Sequence, residues 1–198
     1  MKNIKSGMYV LLIACMASGC AKQLEQNDPQ SFSDGNAFTY IQYIQQGVNG
    51  AFGAYSTKAS DLWKNSLTSD ETKIGADNAG SGALTFRFQY NADNTSGSDV
   101  IQGYYGFYAM IDQINRVLPH VKDATGGTAA RKDELTAHLL GLRAIAHFDL
   151  LQSFCKNYDP NGLGIAVMTS FSPTAQPARN KMGEVMAQIE TDLNTAKS

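Results

Sequence analysis

The sequence predicts a mainly all-α protein, and two observations carry that prediction. Four segments repeat apolar residues at spacings of three and four, the period of a helix with one buried face. Between them run long stretches rich in Ser, Thr, Asn, Asp, Gly and Pro, and a single short piece, Thr85 to Tyr90, alternates as a strand does.

The amino terminus is read first because it is removed first. Lys2 and Lys5 precede an apolar run of nine, Met8 to Met16, and then come the small residues Ala17, Ser18 and Gly19. Those are the three regions of a signal peptide. Nine residues rise about 14 Å as a helix, against roughly 30 Å of hydrocarbon, so the run is too short to span a membrane. Cys20 follows at once, the arrangement of a lipobox. The expectation is therefore a lipoprotein signal over 1–19 and a lipidated Cys20, with a tether over 20–35 that is polar and broken by Pro29.

The remaining span, 36–198, is read as one domain. Its first helix starts near Asn36 and turns Phe38, Ile41, Ile44, Val48, Phe52 and Tyr55 to one side. Lys58 to Ser98 is a long irregular excursion that nevertheless holds Trp63, Phe86, Phe88 and Tyr90; connections of that length are usually functional or disordered. A second helix spans about Asp99 to Leu118, with Ile101, Tyr105, Tyr108, Ile111, Asn115 and Leu118 assigned to its inner face, and Pro119 marks its end or a kink. A third runs from Ala129 to Phe154 and is apolar on most sides, so it is expected to be buried on most sides. Tyr158 to Arg179 is a second loop, in which Ile165 to Met168 reads as an extended piece. The last helix begins near Asn180 and places Met182, Val185, Met186, Ile189, Leu193 and Ala196 together.

Composition narrows function. The chain has 16 basic and 18 acidic residues; without Lys2 and Lys5 the balance is 14 against 18, a net charge near −4. No basic patch suggests nucleic acid. Of three cysteines, Cys15 leaves with the signal and Cys20 is lipidated, so Cys155 has no disulfide partner. His138 and His147 stand nine apart, on opposite sides of one helix, and no metal-binding spacing occurs. The motifs of serine hydrolases, nucleotide-binding loops and zinc peptidases are missing, so neither enzymatic activity nor a cofactor is expected.

Several phrases along the chain carry a resemblance. They are Leu139 to Leu151 with Arg143, His147 and Asp149; Lys156 to Ile165 with Pro160; Pro177-Ala178-Arg179; and Glu184 to Ala196 with Gln188 and Asp192. Ile101 to Asn115 and Ser69-Asp70-Glu71 add to them. Together they resemble the SusD/RagB family of Bacteroidetes outer-membrane lipoproteins. That resemblance implies tetratricopeptide-like helical pairs with irregular loops on the ligand face. It also implies capture of a glycan, or in some members a peptide, for a SusC-like TonB-dependent transporter, on a lipid anchor and facing outward. Members are considerably longer, so the chain resembles an incomplete amino-terminal portion of the scaffold. The other reading is a helical-repeat lipoprotein that binds a protein or peptide partner.

Three departures from the family pattern bear on stability. Cys155 stands where Gly is common after the third helix, so a left-handed cap there is expected to strain, with Asn157 able to take that role. Lys181 replaces a Thr that often caps the last helix, which loses the capping box before Glu184 and leaves Asn180 as the cap. Tyr104 and Tyr105 fall where Trp is frequent.

A sugar offers an apolar face and a rim of hydroxyls, so its site needs flat exposed aromatics and polar side chains at their edges. The excursion supplies that vocabulary in Trp63, Asn65, Asp70, Arg87 and Tyr90, the candidate ligand residues. Against it stands the reading in which Trp63, Phe86 and Phe88 anchor a long loop on the helices. Tyr104, Tyr105 and Tyr108 are assigned to the core, Asn115 to backbone satisfaction, and Arg143 to a buried partner, either a carboxylate or carbonyls.

Overall fold

A computed structural model of the chain describes residues 37–56, 66–80, 82–89 and 98–197. The expectations for the signal, Cys20 and the tether lie outside these residues, as do Trp63, Asn65 and Tyr90. The chain divides into Met1–Asn36 and Ala37–Ser198, and every described residue belongs to the second unit.

The described residues are helical: α1 (Ile41–Ser56), a single turn α2 (Ala83–Phe86), α3 (Ser98–Val117), α4 (Ala129–Phe154) and α5 (Met182–Lys197). α3 runs on as a 3-10 turn over Leu118–His120, where Pro119 ends the α-type ladder. Helices α1, α3 and α4 pack against one another, and α5 lies along α4. α4 is thus central. Its ten buried residues include Leu135, Leu139, Leu142, Ala144, Ala146 and Leu150, and the alanines let neighbouring helices approach. Burial is incomplete, however: Ile145 and Phe148 on α4, the helix expected to be buried on most sides, and Leu193 on α5, grouped above with Met182 and Val185, are exposed. Among the described residues three helices pack on α4, and its Ile145 and Phe148 side chains face away from them.

Caps and turns place these helices. Thr128 Oγ1 accepts the Arg131 N–H and starts α4. Just before it, Gly127 holds φ +75°, and a Cβ there would lie 3.0 Å from Ile41 Cγ1. Glycine satisfies both constraints. Across this turn Ile41 N–H donates to Thr125 O at 2.9 Å and Thr125 N–H to Thr39 O at 2.7 Å, and Phe38 stacks on His120 with ring centres 4.5 Å apart.

The structure corrects four local expectations. Thr85 to Gln89, the described part of the expected strand, is no strand: Phe86 N–H bonds to Gly82 O and Arg87 N–H to Ala83 O, so the alternation is wound into a turn of helix. No partner strand is present among the described residues. Thr85 is buried while Phe86 and Phe88 are exposed, the latter by 62%, so neither ring is sunk into the core as the anchoring reading expects. Cys155 ends α4 in an extended conformation, φ −116° and ψ 160°, where a Cβ causes no strain, and Asn157 is not in the left-handed region. Half of the lost capping box survives, because the Glu184 carboxylate accepts the Lys181 N–H at 3.1 Å.

The loop between α4 and α5 is held to the start of α5. Gly164 N–H donates to Asn180 O at 2.8 Å and Asn180 N–H to Ile165 O at 2.9 Å, while Asn180 Oδ1 accepts the Val167 N–H. A Cβ on Gly164 would lie 3.0 Å from Asn180 O. Ile165 to Met168 is therefore extended, as its sequence suggests, and Ile165 and Ala166 are buried.

One ion pair lies inside this packing. Arg143 of α4 donates from Nε to Asp192 Oδ2 at 2.8 Å and from Nη2 to Asp192 Oδ1 at 2.6 Å, and both residues are buried. Removing one partner of a buried pair strands the other charge. Asp192→Ala is expected to lose about 3–5 kcal/mol of unfolding free energy in urea titration, whereas the double variant Arg143→Met with Asp192→Leu loses clearly less.

Candidate functional site

α3 carries two stripes. Phe107, Met110, Ile111, Ile114 and Val117 are buried and make the core stripe. Tyr104, Tyr105, Tyr108, Asp112 and Asn115 recur at spacings of three and four on the adjacent face and line a cleft of about 420 Å³. The assignment of Tyr105 to the core is thus corrected: it is 62% exposed. Tyrosine counts as apolar in a periodicity argument, which merged the two stripes into one. The visible signal was a run of tyrosines one position out of phase with an aliphatic run.

The far wall is the loop after Met168, with Ser172, Pro173, Ala175 and Pro177 lining the cleft. Its prolines fix φ and remove donors, so this wall offers little but shape. Phe171 holds it to α3: the Arg116 guanidinium carbon lies 4.3 Å from the Phe171 ring centre.

The tyrosines are not equally free. Tyr104 is wedged against Tyr108 (centres 4.8 Å apart), Tyr105 (6.1 Å) and Phe154 (5.2 Å). Tyr108 donates to Ala166 O at 2.8 Å; burial, and after it the neighbouring Tyr104, push its phenol well above the usual range, so it stays protonated. Asn115 lines the cleft but is fully engaged, accepting from Arg143 Nη1 at 2.7 Å and donating to Met168 O at 3.0 Å. What the cleft offers a ligand is the exposed ring of Tyr105, with Asp112 and Ser172 as its polar edge.

The candidate residues from the loop lie elsewhere. Asp70 is exposed in a turn built by Ser69, whose Oγ donates to Ser66 O and accepts the Glu71 N–H. Arg87 is exposed and ends α2. Neither lines the tyrosine cleft, and no hydrogen bond or ion pair joins the two.

Behind the cleft wall is a buried polar network. Arg143 Nη1 also reaches Thr169 O at 3.2 Å. Met168 N–H donates to His147 Nε2 at 3.2 Å, so that nitrogen carries no proton, and Nδ1–H donates to Arg143 O at 3.0 Å. Arg143 has both kinds of partner expected for it, a carboxylate and a carbonyl.

The fold is that of the helical SusD-like class. The chain belongs to the family SusD-like_3, described as starch-binding and associating with the outer membrane, which matches residues 23–198. Among solved structures it is similar to a protein assigned as sugar-binding from Bacteroides vulgatus. The TM-score is 0.65 at 22% identity, over 81% of this chain and 37% of that one. A SusD superfamily protein from Bacteroides thetaiotaomicron matches with a TM-score of 0.58 at 17% identity, over 79% and 36% of the two chains. NanU of B. fragilis matches at 0.60 and 22% identity, over 86% and 33%. The chain thus spans about a third of the length of these structures. No curated protein matches it.

His147 yields a pH dependence. Burial, and then the Arg143 guanidinium, push its imidazole down to about 4 despite the Asp192 carboxylate. A depressed pKa means that the unfolded chain takes up the proton first as pH falls below about 6.5. The contribution is therefore fully present above that value and is lost toward pH 4. Between pH 7 and pH 5 it amounts to about 2 kcal/mol at ~1.4 kcal/mol per unit. Urea titrations should show that loss, and His147→Gln should remove most of the slope.

Proposed function

We propose that this protein is a non-enzymatic, surface-exposed outer-membrane lipoprotein that captures an oligosaccharide for a SusC-like TonB-dependent transporter. Lipid on Cys20 is the anchor and the segment to Gly35 the arm. Membership of a family described as starch-binding and associating with the outer membrane supports this reading. So does a neighbour of similar fold that is assigned as sugar-binding.

The single observation that carries it is the tyrosine cleft. Tyr105 presents a flat ring to solvent beside a carboxylate and a hydroxyl, on a helix whose opposite stripe is locked into the core. A pyranose stacks its C–H face on such a ring and turns its hydroxyls to the edge. The excursion residues Trp63, Asn65, Asp70, Arg87 and Tyr90 form a second proposed set of contacts.

Isothermal titration against a panel of oligosaccharides tests the proposal. Tyr105→Ala is expected to weaken binding about tenfold, ~1.4 kcal/mol, with the melting temperature preserved. Trp63→Ala with Arg87→Ala reports separately on the loop. Unchanged affinity in both variants overturns the proposal.

A further inference from the structure

Asp112 lines the cleft with no hydrogen-bond or ion-pair partner among the described residues. Its natural mate is Arg116, four residues on and within reach across one helical turn. That guanidinium is instead spent on the Phe171 ring, 4.3 Å away. The ion pairs Arg131–Glu134 and Arg143–Asp192 do not involve Asp112. The carboxylate is half-buried beside Tyr105 and Tyr108.

The rest of the lining carries no positive charge. Among the described residues it holds no Lys, Arg or His, and the nearby Arg143 is neutralised by its two bonds to Asp192. The faces of the tyrosine rings are themselves electronegative. A carboxylated ligand would meet a like charge in a partly dry cleft while the Arg116 guanidinium stays held on the Phe171 ring, and repulsion there is screened less than in water. A neutral sugar meets the reverse, because an ionised carboxylate only accepts and can take hydrogen bonds from two adjacent hydroxyls at once.

We propose that Asp112 sets the charge class of the ligand: the cleft takes neutral sugar residues, held through adjacent hydroxyls on the Asp112 carboxylate, and excludes uronic and sialic acids. This rests on the tyrosine cleft being the glycan site. Arg116 and Phe171 then have a part in selectivity as well as in loop packing, since their contact is what leaves Asp112 unpaired.

The test is titration of the protein with neutral probes (maltoheptaose, cellohexaose, mannohexaose, xylohexaose) and acidic ones (tetragalacturonate, sialyllactose), each repeated on Tyr105→Ala. At least one neutral probe is expected to bind in a Tyr105-dependent way, at least tenfold tighter than either acid. Asp112→Asn is expected to weaken that probe about fivefold and to narrow the gap, and Asp112→Lys to invert the preference, with thermal melts showing the variants folded. An acidic probe that binds through Tyr105 as tightly as the neutral ones overturns the charge assignment but leaves the cleft as the site. A gap unchanged in Asp112→Asn does the same. If no probe depends on Tyr105, both fall together.

Discussion

Arg143 sits in the middle of a helix packed by three others, where an unpaired guanidinium is not tolerable. Its partners come from three separate parts of the chain: both carboxylate oxygens of Asp192 on α5, the amide oxygen of Asn115 on α3 and the carbonyl of Thr169 in the loop. Meeting that one requirement brings α3, α4, α5 and the loop to a common point. Two further bonds then fix the loop backbone, from Asn115 to Met168 O and from the Met168 N–H to His147. A buried network of this kind adds little net stability beside an apolar core, but it specifies one arrangement over others.

The cleft is a consequence of that arrangement. With Met168 held to Asn115 of α3 and Thr169 to Arg143 of α4, the loop runs on past the tyrosines, and Ser172 to Pro177 form the far wall. Asn180 secures the other end through Val167, and Phe171 fastens the middle to Arg116. The cleft is therefore built on a helix and a loop pinned at several places. Were the proposed ligand to bind there, little ordering would remain to be done.

Helix bounds were legible in the sequence wherever local signals agree. α4 begins after Thr128, a good cap, and ends at Phe154 as its apolar pattern gives out. The family was legible too, because its phrases fall on Arg143, Asn115 and Asp192, residues tied by structure as much as by function. Faces were harder to read. On α3, counting tyrosine as apolar hid the second stripe, and so the cleft. Long-range partners could not be read at all: Asp192 lies 49 residues from Arg143, and no local spacing connects them. The strand expected at Thr85 to Tyr90 failed for a related reason, since alternation makes a strand only where a neighbour exists to pair with it.

The central claim is that the network of Arg143 organises the wall of the cleft. Amide hydrogen exchange at Val167 and Met168 tests it most directly, comparing the protein with the double variant Arg143→Met, Asp192→Leu, which removes the charges without leaving one unpaired. Protection at these two amides is expected to fall at least tenfold while the interiors of α1 and α4 keep theirs. Protection at Val167 and Met168 that stays level with the helices would contradict it.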